Sequence, residues 1–518
     1  MRRRSRSSCP RTVGGVRSRD DRHLRLGEKL ADLDEAATAS KFAQARVVIA
    51  WDHTVARHAP EMITLAANLI ARFCPRIHLS TADPMTELTL ELLHELDTTS
   101  LAEFTRGEGI PPDVTASLYL GGGTPPALPH LTTASAVGWI VHLSSEGDSL
   151  DPLEPFVPFG YLAAAALGAC EVFKRLLPPA AGRGRLFGRT VYSTFNYAST
   201  DPLQGPGLPN AVEVNVPALL AGAGAVGQAF LHAISVLPQV EGELLVVDKE
   251  VVDEGNLNRY VLASENDAVE SVEKTALAVR AFDGRTLRIV PEPRDLQAVV
   301  DDINEGKLNH PTVVVSALDR YEPRRLVQNL WPDLVFEGAT GDTLLQVFRH
   351  AFQEGLACLR CIHTEPAGRP YEETLAEATG LSPQRIAQAF SGERPLLEEA
   401  DIECVRPELQ QQVRRDVGKD ICGVLQELAR FETAPGHDQI QPAVSFTSYL
   451  SGLFVAAEFV RFFSGIPPGL PGRYQLDPVS TLDPAKPWAE KKHGVCYCVD
   501  RAKVIEVYRA RARRAPPR

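Results

Sequence analysis

The chain has little positive charge to spare. Its 518 residues carry 54 Lys and Arg against 66 Asp and Glu, a net charge of -12. Without a basic surplus it lacks the electrostatic footprint of a general nucleic-acid binder. Cysteine is sparse, nine in all. That is too few for a disulfide scaffold, so the cysteines read as reduced thiols, some on metal or in catalysis. No uninterrupted apolar run is long enough to cross a bilayer, so no membrane partner is expected. The Arg- and Ser-rich start, Arg2 to about Arg25, has no apolar core behind it, which excludes a secretory signal. Residues 1–44 are therefore expected to be a disordered basic leader, with an organellar leader as the sharper alternative. A cytoplasmic location follows.

What is present reads as an α/β protein. Hydrophobic residues make up 44% and charged residues 23%, ordinary for a soluble fold. This length calls for about two or three domains of roughly 100–200 residues. Val47–Ala50 is an apolar strand, Pro60–Phe73 has helical apolar spacing, and Ile77–Leu79 is a second strand, which makes a strand–helix–strand unit and a parallel sheet. Strands follow at Ser117–Leu120 and Val137–Leu143, and an apolar helix at Tyr161–Leu177 closes a first α/β domain over 45–200. Ser199–Asn210 is Gly- and Pro-rich and reads as a linker. A second α/β unit covers 211–475, with a mostly helical, Cys-bearing insertion at 365–436, a long apolar helix at Phe446–Phe463 and a C-terminal tail at 476–518. A shift of 287 residues lays one long helix on the other: Phe159 on Phe446, Ala169 on Ala456, Glu171 on Glu458 and Lys174 on Arg461. The pattern reads as two Rossmann-like halves.

The sharpest local signal is Leu219-Leu220-Ala221-Gly222-Ala223-Gly224-Ala225-Val226-Gly227, a GxGxxG between a strand and a helix. Its glycines let backbone approach a phosphate, and the helix N-terminus offers free N–H groups. Asp248 ends the next strand, where a carboxylate can accept from ribose hydroxyls. This much fits a nicotinamide or flavin enzyme equally well. Asn256-Leu257-Asn258-Arg259-Tyr260, Lys274 and Asp319 break the tie. Arg259 and Lys274 bring cations toward phosphates, and Asp319 at a strand end offers oxygen to magnesium. Hydride transfer needs no such charges; expelling pyrophosphate from ATP does.

These residues resemble the ThiF/MoeB/ubiquitin-activating family of adenylyltransferases, with Tyr260 where that family usually has Gln. The resemblance implies binding of Mg-ATP and adenylation of the C-terminal carboxylate of a small ubiquitin-like or sulfur-carrier protein ending in glycine. Asp248 would hold ribose, Asn256, Arg259 and Lys274 the phosphates, and Asp319 the metal. The family also works as pairs of adenylation domains, so the first half is expected to be an inactive partner in a pseudo-dimer, with homodimerisation open. Its first strand runs into Trp51-Asp52-His53 where a glycine loop would be needed. Cys358-Leu359-Arg360-Cys361 sits where the family places half of a zinc site, and Cys496-Tyr497-Cys498 would supply the rest with a shortened spacing that needs a turn. Cys422 is the expected acyl acceptor, followed by Gly423 and near Lys419, with Cys404 as the competitor. Activation of a ubiquitin-like modifier for conjugation is the leading expectation, because fusion to an inactive half and a long Cys-bearing insertion suit transfer to a partner such as a conjugating enzyme. Sulfur transfer for thiamine or molybdopterin-type synthesis and adenylation of a ribosomal peptide are the alternatives within the same chemistry. An oxidoreductase or a dead scaffold is the reading from a different class.

Overall fold

The computed structural model describes residues 24, 26–97, 102–177, 184–363, 376, 379–390, 396–407, 410–414, 417–418, 421, 444–482, 486–494 and 496–512. Two seven-stranded sheets organise them. The first joins β1 (Val47–Trp51), β2 (Arg76–Leu79), β3 (Glu103–Arg106), β4 (Ala116–Leu120), β5 (Leu131–Val137), β6 (Ile140–Ser144) and β7 (Arg189–Ser193) in the order β3-β2-β1-β4-β5-β6-β7. The second joins β8 (Val212–Ala221), β9 (Val240–Val247), β10 (Leu287–Glu292), β11 (Val313–Ser316), β12 (Leu334–Gly341), β13 (Leu344–Ala351) and β14 (Arg473–Leu476) in the order β10-β9-β8-β11-β12-β13-β14. The two orders are the same, and in each sheet the last two pairings turn antiparallel while the others are parallel. The strand order reverses direction at β1/β4 and at β8/β11, which is where an open α/β sheet leaves a crevice at its carboxyl edge.

The long apolar helices, Pro158–Leu176 and Ser445–Phe463, are buried along almost their whole length. They join both sheets in one apolar core, with Phe446 against Phe173 and Phe73, ring centroids 5.4 and 6.5 Å apart. By length and composition Ser445–Phe463 could cross a bilayer, unlike the sequence-based expectation, but 89% of that apolar stretch is buried inside the fold. The 287-residue correspondence has a physical content. Each helix carries a fully buried ion pair one turn apart, Glu171 with Lys174 and Glu458 with Arg461. Each carboxylate also takes backbone N–H groups from the chain beyond its helix: Phe187 donates to Glu171 at 3.1 Å, and Gly469 to Glu458 at 3.1 Å. Buried charges persist only when paired and hydrogen-bonded in this way. The halves are also stitched directly. Tyr197 donates to Glu458 at 2.8 Å, and the Tyr192 and Tyr474 hydroxyls meet at 2.7 Å.

Several expectations need correcting. Order begins before residue 45: Leu26–Ala31 and Glu35–Gln44 are helices, the second capped by Asp34, whose side chain accepts from Ala37 N–H. Leu26, Leu30 and Phe42 are buried, with Phe42 stacked on Phe173, so apolar anchors extend the first half backwards from β1. The expected strand Val137–Leu143 is a hairpin, β5 to β6, because Gly138 takes φ +55° and reverses the chain at Trp139. The stretch 199–210 has little regular structure, but it is fastened down: Trp139 Nε1 donates to Pro206 O at 2.8 Å. Most of 365–436 lies outside the described residues. Within that stretch Pro383–Phe390, Glu399–Cys404 and Gln410–Val413 are short helices.

Removing Arg461 would leave the Glu458 carboxylate buried with a lost cation. Arg461→Met is expected to cost about 3–5 kcal/mol, read from the urea midpoint. Adding Glu458→Gln should recover part of the loss.

Candidate active site

The second crevice is built from close backbone contacts. β8 ends at Ala221, and Gly222 turns the chain with φ +93°, its N–H donating to Val247 O at 2.9 Å. A Cβ on Gly227 would lie 2.1 Å from the Gly222 carbonyl oxygen, and one on Gly222 would lie 2.8 Å from Ala317 O. The loop thus packs against itself and against the end of β11, and only glycine fits at either position. Gly224 caps the helix Ala225–Ser235 without side-chain help, leaving N–H groups at its first turn with no helical acceptor.

Asp248 follows β9 and ties the loop down. One oxygen accepts Ala223 N–H at 2.8 Å and the other Glu250 N–H at 2.9 Å. Burial pushes its pKa up, against the pull of the Lys274 ammonium. Lys274 begins the helix Lys274–Ala281 and is itself buried, bonded to Glu250. Burial penalises its charge, but Tyr260, Asp248 and Glu250 outweigh that and hold its pKa well above the lysine range. The Tyr260 ring has both cations near it, Lys274 Nζ at 5.2 Å and the Arg259 guanidinium at 5.4 Å from its centroid, and a Cβ on Gly224 would be 3.5 Å from its hydroxyl. Asn256 is buried in a turn, its side chain accepting Asp253 N–H. Arg259 folds back onto Gly255 O at 2.8 Å and Asn258 Oδ1 at 2.9 Å. Asp319 is exposed, two residues beyond Ala317, whose carbonyl abuts Gly222.

The structure therefore brings Gly222, Gly224, Gly227, Asp248, Tyr260 and Lys274 together, while Asp319 follows Ala317 in the chain. Other residues carry weight that the sequence reading did not assign. Glu250, exposed to solvent, pairs with Lys274. Gln228, directly after Gly227, is fully buried; it donates to Ala223 O at 3.2 Å and accepts Leu262 N–H at 3.1 Å. Arg324 donates to Leu318 O at 2.9 Å, fixing the turn before Asp319, and reaches the buried Glu337 at 3.1 Å. Burial alone would raise the Glu337 pKa, yet Arg324, His350 and His363 hold it well below the usual carboxylate range.

The first crevice differs at the corresponding place. Asp52 leaves β1 and caps the helix His53–His58, accepting Val55 N–H at 2.8 Å and Gly122 N–H at 3.0 Å. A Cβ on Gly121 would lie 2.2 Å from an Asp52 carboxylate oxygen. An anionic side chain already occupies these donors.

Four thiols gather away from the glycine loop. Cys358 caps the helix Leu359–Ile362, which contains Cys361, and Cys496 caps Tyr497–Asp500, which contains Cys498. The turn at Cys496 resolves the CxC spacing, since both side chains now face one point. All four sulfurs lie within 4.8 Å of one another, with neighbours at 3.6 and 3.7 Å. Bonds of about 2.3 Å to a tetrahedral zinc give edges of about 3.8 Å, so the set fits that ion and is too open for disulfides. Cys404 is exposed at the end of its helix. Cys422, Lys419 and Gly423 lie outside the described residues.

A family model described as "ThiF family" matches residues 214–496, more than half of the chain. An uncharacterized protein of Sinorhizobium fredii (strain NBRC 101917 / NGR234), y4jF, is 26% identical over 485 residues, spanning 88% of this chain and 89% of its own. Among solved structures, E. coli MccB with MccA-N7isoASN is 12% identical with a TM-score of 0.34, over 55% of this chain and 67% of that one. E. coli MccB with SeMet MccA gives 12% identity and a TM-score of 0.33, over 55% and 66%.

Two tests follow from the geometry. Gly227→Ala should abolish nucleotide binding measured by calorimetry, because its methyl group would displace the Gly222 carbonyl. Protein purified without chelators should hold about one zinc per chain by elemental analysis, and Cys361→Ser should lose both the metal and thermal stability.

Proposed function

The chain belongs to the ThiF family, and on that premise we propose that it adenylates the C-terminal carboxylate of a small ubiquitin-like protein, using ATP bound in the second half. The observation that supports this reading is the linkage of the glycine loop to Asp248, with Lys274 and Tyr260 beside it. The loop backbone would face the phosphates. Asp248, already oriented by two N–H groups, has oxygen lone pairs left for ribose hydroxyls. Lys274 stays protonated across the physiological range, so its charge is available at the phosphates without a proton transfer.

The substrate carboxylate, with a pKa of about 3.3–3.7, is ionised at neutral pH and needs no general base. Its oxygen attacks the α-phosphorus of ATP, the α–β bridging bond breaks, and pyrophosphate leaves with the electron pair. Positioning and charge stabilisation are the whole task of the protein here. Asn256 and Arg259 would leave their bonds within the turn and swing onto the leaving phosphates. Asp319 offers the oxygen ligand that magnesium prefers, and magnesium would supply charge compensation on the phosphates. The first half, with Asp52 filling its crevice, is an inactive partner. The four-thiolate cluster would hold a structural zinc. In a conjugation pathway Cys422 would then attack the acyl carbonyl as a thiolate, forming a thioester and releasing AMP. Stopping at the adenylate would instead suit sulfur-carrier activation.

ATP–pyrophosphate exchange stimulated by a small protein ending in glycine tests the first step. Lys274→Ala is expected to reduce exchange by about 10²-fold or more. Undiminished exchange would overturn the role of that lysine. Exchange absent from the wild-type chain with every such protein tried would overturn the adenylation reading.

A further inference from the structure

The first half has a blocked crevice, yet it reaches the nucleotide site by another route. Asn68 and Arg72 lie four residues apart at the end of the helix Pro60–Ala71, which is otherwise strongly apolar and buried. Both side chains are buried, and both point across the boundary between the halves. Arg72 donates one terminal nitrogen to Leu257 O at 2.6 Å and the other to Ala263 O at 2.9 Å, while its Nε donates to Asn68 Oδ1 at 3.0 Å. Asn68 in turn donates to Val261 O at 2.9 Å. Three carbonyls of the segment 257–263 are thus held by one planar fork and the amide that orients it. That segment carries Arg259 and Tyr260. From the second half the same segment is met by Gln228, which accepts Leu262 N–H, and by Arg280, which donates to Leu262 O at 3.0 Å. Gln228 also reaches Ala223 in the glycine loop.

We propose that Arg72 of the first half is a positioning residue for the nucleotide site, holding the Arg259–Tyr260 segment against the glycine loop through its backbone carbonyls. Its side chain need not touch nucleotide. A guanidinium is suited to this because its donors diverge in one rigid plane, and an ammonium cannot span two carbonyls held apart in the same way. The closing of the segment fixes the Tyr260 ring beside Lys274, and with it the place of the buried cation. Half of the chain would otherwise contribute only packing to the chemistry.

This inference rests on the adenylation reading for its functional arm but not for its structural one. Arg72→Lys and Arg72→Gln should fold, with amide hydrogen exchange quickened at 259–263 and little changed in the helix Ala225–Ser235. Mg-ATP binding by calorimetry should weaken about tenfold or more, and Lys should not rescue it. Asn68→Ala is the milder second variant, expected to show the same local exchange with a smaller affinity loss. Ser445→Ala is the control. It removes a 2.9 Å bond from Ser445 to Leu69 O, another contact of the same helix across the same boundary, and should leave ATP affinity unchanged. Wild-type ATP affinity and wild-type exchange protection in both Arg72→Lys and Asn68→Ala would overturn the proposal. An equal affinity loss in Ser445→Ala would overturn it as well, since any weakening of the boundary would then suffice. If the wild-type chain binds no ATP, the adenylation reading falls, and the local exchange pattern alone decides whether Arg72 holds the segment.

Discussion

Everything at the second crevice depends on a backbone contact that admits no side chain. The Gly222 carbonyl sits against Gly227, and Gly222 itself sits against the end of β11. Because the chain can close that tightly, the first turn of the helix Ala225–Ser235 is delivered to the carboxyl edge of the sheet with its N–H groups facing out. The carboxylate of Asp248 then has a fixed N–H, that of Ala223, to lock onto. A polar network builds outward from there: Glu250 and Lys274, Tyr260 beside them, and Gln228 joining the glycine loop to the next segment. Lys274, Tyr260 and Gln228 are buried, and the exposed Glu250 pairs with Lys274 from the solvent side. Such networks are rigid when complete and costly when a member is lost.

The two sheets share one plan but solve their crevices differently. In the second, glycines bring backbone donors to the edge, and Asp248 from the next strand takes that of Ala223. In the first, Asp52 supplies the anion from its own side chain and uses the donors of Val55 and Gly122. The cost of desolvating an unpaired N–H is avoided in both cases.

The strand–glycine loop–helix unit was legible because its signals are local: an apolar strand, three glycines at fixed spacing, and an acid at the end of the next strand. The parallel pattern of strands and helices gave the fold class for the same reason. Other parts were hidden by their nature. The helices Leu26–Ala31 and Glu35–Gln44 sit behind a basic stretch, and only the partners of Phe42 in the folded core reveal that they are ordered. The hairpin at Gly138 turns on one φ angle inside what reads as a continuous apolar run. Arg72 was out of reach because its partners are carbonyls nearly two hundred residues away, which carry no sequence signature. Its trace in the sequence is only a pair of polar residues, Asn68 and Arg72, four apart on an apolar helix. The two thiol pairs were visible, but their convergence needed the turn at Cys496.

The stretch 199–210 that joins the halves also changes how they depend on dilution. Two separate subunits related in this way would obey mass action, and their shared surfaces would come apart as the solution thinned. A covalent tether replaces that encounter with an intramolecular one, whose effective concentration is on the order of millimolar for short connections. Here the tether is also pinned to Trp139 at Pro206, which narrows its excursions further. The assembled crevice is therefore a property of each single molecule, and it persists however few copies a cell contains.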